Sequence, residues 1–386
     1  MRLVLQILDF LVKHWEFSIA LCIAIFFGFI TLFGWILPRK ARLRKEEEER
    51  LRQIEKQSNL IPSIERDVKE MRENLKVLKE RSDAKPYIDG LDKAPPLVFD
   101  PFAKALKLMA EYKWEQAIDE FKKSMKEAKA SQLVALYNLI GLCYYTPGKL
   151  DLTLENWNKS LSLAREFNDI EGESANLGNL GIVYQTRGEL DKAVKYHEDA
   201  FKLNKELGNK EGMAAQLGNL GNVYETRGEL DKTVKYYEDA LRLNQELSSK
   251  EGIAIQLGNL GNVYQIRGEF DKAIKYYEDA LKLNQELDRK QGIAGQLSNL
   301  GIIYGIKGEL DRAIKYFEDA LKLNQELGSK EGMAVQFNNI AGIYQIKGEK
   351  EKALKYCEDA LRLFTQIGAQ MEIETVKGNI EKLKRQ

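Results

Sequence analysis

The side chains with the most regular spacing in this chain are carboxamides. Asn179, Asn219, Asn259, Asn299 and Asn339 recur at a fixed interval of 40 residues. Asn222 and Asn262 add a second rung in two of the copies, and Gln185, Glu225, Gln265 and Gln345 fall one helical turn further on. A carboxamide offers both a hydrogen-bond donor and an acceptor, so such a ladder suits polar recognition. Groups for bond-breaking chemistry are scarce by comparison. The only histidines are His14 and His197, and Cys22, Cys143 and Cys357 lie far apart with no C-x-x-C pair. No Gly-rich phosphate loop, metal-ligand cluster or nucleophile–base pair is apparent. An enzyme is therefore not expected, nor a cofactor or a bound metal. With 59 Lys and Arg against 59 Asp and Glu, the chain also lacks the basic excess that holds nucleic acid.

The elements that position the ladder follow from the repeat itself. Gly188-Glu189-Leu190-Asp191 returns at Gly228, Gly268 and Gly308, and in altered form at Gly148 and Gly348, always 40 residues apart. Each copy reads as two helices. The first carries Leu177, Leu180, Gly181 and Tyr184 on one face, and the second carries Ala193, Tyr196, Ala200 and Leu203. The intervening Gly supplies the turn, and the pair Gly208 and Gly212 is expected to loosen the link to the next copy. Charged residues at 31% and only 7 prolines agree with an all-α chain.

These residues resemble the tetratricopeptide repeat (TPR). Leu177, Gly181, Tyr184, Gly188, Ala193, His197 and Ala200 match the family's W/L-x-x-x-G-x-x-Y…G…A…F/Y…A pattern, as do Leu217, Gly221, Tyr224, Gly228, Tyr237 and Ala240. Further copies hold Gly261, Tyr264, Tyr277 and Ala280, then Gly301, Tyr304, Phe317 and Ala320. The period departs from the usual one of about 34 residues, and the Pro that closes the second helix is missing. Segments such as Asn284-Gln285-Glu286-Leu287 extend that helix instead. The variant is similar to the longer repeats of kinesin light chains and Pins-type polarity adaptors, where N-L-G-N-x-Y also recurs. The resemblance implies an α-solenoid, a right-handed superhelix of helix hairpins. Seven units are expected over 101–370, with a Lys- and Glu-rich capping helix over 371–386.

In such superhelices the first helices line a concave groove. By similarity to TPR peptide receptors, the ladder asparagines would hydrogen-bond an extended ligand; alternatively they bond only neighbouring helices. Gly178, Gly218, Gly258 and Ser298 are expected to keep the surface open to a close-lying chain. Arg187, Arg227, Arg267, Lys307 and Lys347 precede the turn glycines, where they could bind acidic groups or complement helix dipoles. Pins-type repeats often carry Arg two residues before L-G-N. This chain has Ala175, Ala215, Ile255, Gly295 and Val335 there, which makes the groove polar and nearly neutral. His197 takes the place of Tyr237, Tyr277, Phe317 and Cys357 in other units and reads as a packing substitution. Cys143 reads as a buried small apolar residue.

The N-terminus is of another kind. Phe17 to Leu37 runs 21 residues without a charge, enough to span a hydrocarbon core of roughly 30 Å. It lacks a small-x-small site, so an uncleaved anchor is expected rather than a signal peptide. Arg39, Lys40, Arg42, Arg44 and Lys45 follow it, which places the remainder on the cytoplasmic side of a single-pass membrane protein. In the charged segment 39–81, Ile61, Ile64, Val68, Met71, Leu75 and Leu78 take alternating three- and four-residue steps. That pattern fits a homo-oligomeric coiled-coil stalk over 61–78 or a single amphipathic helix along the repeats. Residues 82–100, rich in Pro, read as a linker.

The expected function is a membrane-anchored scaffold that binds protein or peptide partners in its groove, without nucleic acid. The alternatives are an assembly or quality-control factor whose transmembrane helix also contacts a membrane partner, and a structural protein whose arrays self-assemble.

Overall fold

The structure, a computed structural model, describes residues 100–126 and 128–385. The expected membrane segment, the 39–81 stalk with its coiled coil, and nearly all of the linker lie outside these residues. No described helix is long and apolar enough to cross a membrane.

The described residues form fifteen helices and no strand. These are α1 (Asp100–Ala110), α2 (Trp114–Met125), α3 (Ala130–Tyr145), α4 (Leu150–Glu166), α5 (Ile170–Thr186), α6 (Leu190–Glu206), α7 (Lys210–Thr226) and α8 (Leu230–Glu246). There follow α9 (Lys250–Ile266), α10 (Phe270–Glu286), α11 (Lys290–Ile306), α12 (Leu310–Glu326), α13 (Lys330–Ile346), α14 (Lys350–Ile367) and α15 (Gln370–Arg385). Helices α1 to α14 pair consecutively into seven hairpins. Each second helix packs on the next first helix, and successive first helices also touch, as α3 with α5, α5 with α7 and α11 with α13.

Local sequence caps four of the first helices and turns the chain between helices. The side chains of Asp169, Asn209, Ser249 and Ser329 accept the backbone N–H of Gly172, Gly212, Gly252 and Gly332 at the starts of α5, α7, α9 and α13. Such N-caps are each worth about 1 kcal/mol. Within the hairpins from α3/α4 to α13/α14 the left-handed turn residue is Gly, with φ 75° at Gly188 and 73° at Gly228, whereas in α1/α2 it is Tyr112 with φ 62°.

The Gly208 and Gly212 pair does not loosen the array. Gly208 takes φ 66° to end α6. At Gly212 a Cβ would stand 2.0 Å from Oδ1 of Asn204, a buried residue of α6. The missing side chain is therefore the space into which the second-helix asparagine locks, and Gly252, Gly292 and Gly332 receive Asn244, Asn284 and Asn324 in the same way.

Inside five hairpins, α3/α4 to α11/α12, the first-helix Gly admits an aromatic ring. A Cβ on Gly221, Gly261 or Gly301 would meet Tyr237, Tyr277 or Phe317 at 2.3, 2.5 and 2.6 Å. Around these contacts Leu180, Val183, Ala193 and Ala200, and their counterparts 40 and 80 residues on, are buried. No hairpin can bury that face alone, so the core runs from unit to unit. Helix α15 closes it by burying Ile373, Val376, Ile380 and Leu383 against the apolar end of the last hairpin.

Candidate binding face

One stripe of each first helix, spaced three or four residues apart, adjoins the same stripe of its neighbours. Asn138 of α3 donates to Asn176 at 3.1 Å and accepts from Asn179 at 3.4 Å, both on α5. The hydroxyls of Tyr145 and Thr186 lie 3.2 Å apart, and Gln185 donates to Thr226 at 3.4 Å. Asn299 donates to Asn262 at 3.3 Å. Polar contacts thus join this stripe across α3, α5 and α7 and from α9 to α11, and the stripe holds every candidate site residue.

The structure divides those residues into groups. Asn179 and Asn299 use their amides on the preceding unit, as the neighbour-bonding reading expects. Asn222 and Asn262 serve another purpose. The Tyr237 hydroxyl lies 2.6 Å from Asn222 Oδ1 and 2.7 Å from Glu225 Oε2, and that of Tyr277 lies 2.7 Å from Asn262 Oδ1 and 2.8 Å from Gln265 Oε1. In each case one phenol proton faces two acceptors. The correlation is visible in the sequence: where the aromatic position is His197 or Phe317, the partner position is Ile182 or Ile302. These two asparagines satisfy buried phenols. Burial, and for Tyr237 its hydrogen bond to Glu225, push both phenols well above their ordinary pKa.

Asn219, Asn259 and Asn339 differ. They are half-buried, and among the described residues none of their side-chain amides has a hydrogen-bond partner. Gln345 is exposed at the end of α13. Glu225 forms no ion pair with a described residue, although Tyr237 holds it in place.

Two expectations need revision. Gly178, Gly218 and Gly258 do not hold the surface open, because Nε2 of Gln216, Gln256 and Gln296 from the next unit fills the space at 2.8, 3.2 and 2.9 Å from a built Cβ. The signal for these glutamines, a Gln every 40 residues from 216 to 336, was in the sequence. The basic series neither stands free for acidic ligands nor merely caps dipoles. Each cation reaches the Asp at the start of the preceding second helix: Arg187 to Asp151 at 3.4 Å, Arg227 to Asp191, Arg267 to Asp231 at 2.6 Å, Lys307 to Asp271 at 2.7 Å and Lys347 to Asp311 at 2.5 Å. His197 is the packing substitution expected, set against Gly181 as Tyr237 is against Gly221. It is wholly buried, its Nδ1 lies 2.9 Å from Gln216 Oε1, and its Nε2 has no partner. Burial lowers its pKa from 6.5 to about 4, against the opposing pull of Gln216.

On the hairpin rim, Tyr184 stacks on Tyr196 at 5.1 Å, and the pairs 224/236, 264/276, 304/316 and 344/356 repeat the arrangement. Lys192, Lys232, Lys272, Arg312 and Lys352 lie over the first ring of each pair. These stacks fasten the two helices of a hairpin and add roughly 0.5–1.5 kcal/mol beyond area burial. Cys143 and Cys357 are buried free thiols, and burial raises the pKa of both. No group of three potential metal ligands occurs among the described residues.

The family profile described as Tetratricopeptide repeat matches residues 131–206, 212–286 and 293–367. Among solved structures, BtubC (BKLC) from P. vanneervenii is 24% identical over 57% of this chain and 92% of its own, with a TM-score of 0.52. A Rap protein complexed with Competence and Sporulation Factor is 14% identical over 83% of this chain and 98% of its own, with a TM-score of 0.53. The apo form of RapI is also 14% identical, over 70% and 98%, with a TM-score of 0.56. At these identities the likeness is one of fold. No curated protein matches the chain.

Proposed function

The chain belongs to the tetratricopeptide repeat family, and from that premise we propose that it is a membrane-anchored scaffold, not an enzyme, whose first-helix face binds protein or peptide partners in the cytoplasm. The observation that carries this reading is the set Asn219, Asn259 and Asn339. A half-buried amide without a protein partner is a hydrogen-bond donor and acceptor held ready for another chain. The peptide backbone presents the complementary pair at every non-proline residue. A Rap protein of the same fold is in complex with Competence and Sporulation Factor, which agrees with a ligand-binding array. Anchoring rests on the uncharged run Phe17 to Leu37, and its orientation on the five cations that follow.

The test is co-purification from native membranes of the full chain and of its Asn219→Ala/Asn259→Ala/Asn339→Ala variant. The altered amides bond no other described side chain, so the fold is retained and the partners are expected to be lost. Retention of every partner by the triple variant contradicts the assignment.

A further inference from the structure

The face changes character along its length. In α5 and α7 its outer positions are Ala175, Thr186, Ala215 and Thr226, with the threonine hydroxyls bonded to the backbone of Ile182 and Asn222. In α9, α11 and α13 the same positions are Ile255, Ile266, Gly295, Ile306, Val335 and Ile346. Ile266, Ile306 and Ile346 are 59%, 57% and 66% exposed, so three successive units present a large aliphatic side chain to solvent at one position. Gly295 and Gly342 leave the space beside them empty: nothing lies within 4 Å of a Cβ built on either.

Charge on this stripe is confined to one residue. At positions 175, 179, 182, 185 and 186 and their equivalents in α7 to α13 the sole ionisable side chain is Glu225. Tyr237 orients it from below at 2.7 Å, and it has no cationic partner among the described residues. Its place relative to the isoleucines follows from the repeat. Gln185 reaches Thr226 at 3.4 Å, so the 40-residue register sets Glu225 beside Ile266. The carboxylate thus marks the boundary where the polar half of the face gives way to the aliphatic half.

The geometry points to a partner segment of definite chemistry: a Lys or Arg that pairs with Glu225, joined to aliphatic residues that cover Ile266, Ile306 and Ile346. This rests on the reading of the face as a binding surface and adds the class of ligand. Charge complementarity selects the cation, because an oriented carboxylate without a counter-ion gains a charge-assisted hydrogen bond from a basic side chain and repels an acidic one. The exposed isoleucines select the aliphatic residues, since large aliphatic side chains exposed at one position of three successive units recur on one face, and a recurring exposed apolar face marks an interaction surface. The amides between them hold the backbone of the same segment.

The test selects from a phage-displayed library of random twelve-residue peptides on the full chain, then measures the selected peptides by fluorescence polarisation. Selected peptides are expected to combine a Lys or Arg with aliphatic residues. Glu225→Gln keeps an acceptor for Tyr237 and removes the charge. It is expected to weaken binding about tenfold and to erase the preference for Lys over Gln, in line with a charge-assisted hydrogen bond. Ile306→Ser/Ile346→Ser alters exposed positions and is expected to cost at least about tenfold, as truncating a buried interface anchor does.

Acidic or wholly polar selected peptides, or undiminished binding by both variants, would overturn the assigned chemistry while leaving the array a peptide binder. Failure to select any peptide would remove the binding reading itself. Self-association of the full chain that Ile306→Ser/Ile346→Ser abolishes would show that a second copy covers the strip, and would overturn the proposal as well.

Discussion

Units built on α5 and α7 and units built on α9, α11 and α13 share one framework and diverge on one stripe. Both sets keep the stacked tyrosines and the cation that reaches the preceding Asp, and every unit but that of α13, where Ala341 and Cys357 take those places, keeps the glycine under the aromatic ring. They part at Thr186 and Thr226 against Ile266, Ile306 and Ile346. The threonines are tied into hydrogen bonds with their own helices and neighbouring units, whereas the isoleucines stand in solvent. Residues that make the array are held by packing. On the stripe, Asn219, Asn259, Asn339 and the three isoleucines are not tied to the array by side-chain hydrogen bonds, and these positions are the ones proposed to specify a partner.

The largest expected effect separates two hairpins that solve one packing problem differently. Phe317 and His197 occupy the same position, each opposite an isoleucine, but His197 leaves Nε2 unpartnered. Burial holds its folded pKa at about 4, below the ordinary imidazole value of 6.5, so below pH 6.5 the unfolded chain binds a proton that the folded chain refuses. Stability is therefore complete above that pH and falls as the pH drops towards 4, by on the order of 3 kcal/mol in all. His197→Phe should remove this component, and chemical denaturation of the two proteins at pH 7 and pH 5 reads it as a gap that opens on acidification. An equal gap at both pH values would refute the buried neutral imidazole.

Two alanine substitutions sharpen the contrast between framework and stripe. At Gly261 a Cβ would press on Tyr277 at 2.5 Å, so Gly261→Ala should destabilise by about 1–3 kcal/mol through overpacking. At Gly295 the space is open and the backbone helical, so Gly295→Ala should stabilise by about 0.5–1 kcal/mol. Thermal unfolding by circular dichroism distinguishes the signs; a shift in the same direction for both would mean that the two glycines are not used differently.

The smallest effect belongs to the ion pairs. Asp231 is fully exposed, so Arg267→Ala should cost no more than about 1 kcal/mol, and less in high salt. A larger, salt-insensitive loss would assign the series a greater part in holding units together.

Much of the architecture was legible because its signals are local and repeated. Leu180, Gly181 and Tyr184, returning with the turn glycine, specify helix, close approach and turn together, and the resemblance they carry is the family that the profile matches. What the sequence concealed were contacts between units. Asn204 against Gly212, Gln216 against Gly178 and Arg227 with Asp191 join residues 8, 38 and 36 positions apart, and no periodicity says which copies meet. The candidate face was legible as a ladder, but its members looked alike. Only the structure separates Asn262, engaged by Tyr277, from Asn259, which has no such partner. The exposed isoleucines escaped notice because an aliphatic residue at helical spacing reads as core until its neighbours are known.

The central claim, that partners meet the stripe of the first helices, is tested most directly by site-specific photo-crosslinking in the full chain in its native cell. A photoreactive residue replaces Asn259 on the stripe of α9 or, in a second protein, Lys275 on the exposed side of α10. Partner adducts are predicted from position 259 and not from position 275. Adducts from position 275 with none from position 259 would contradict the account.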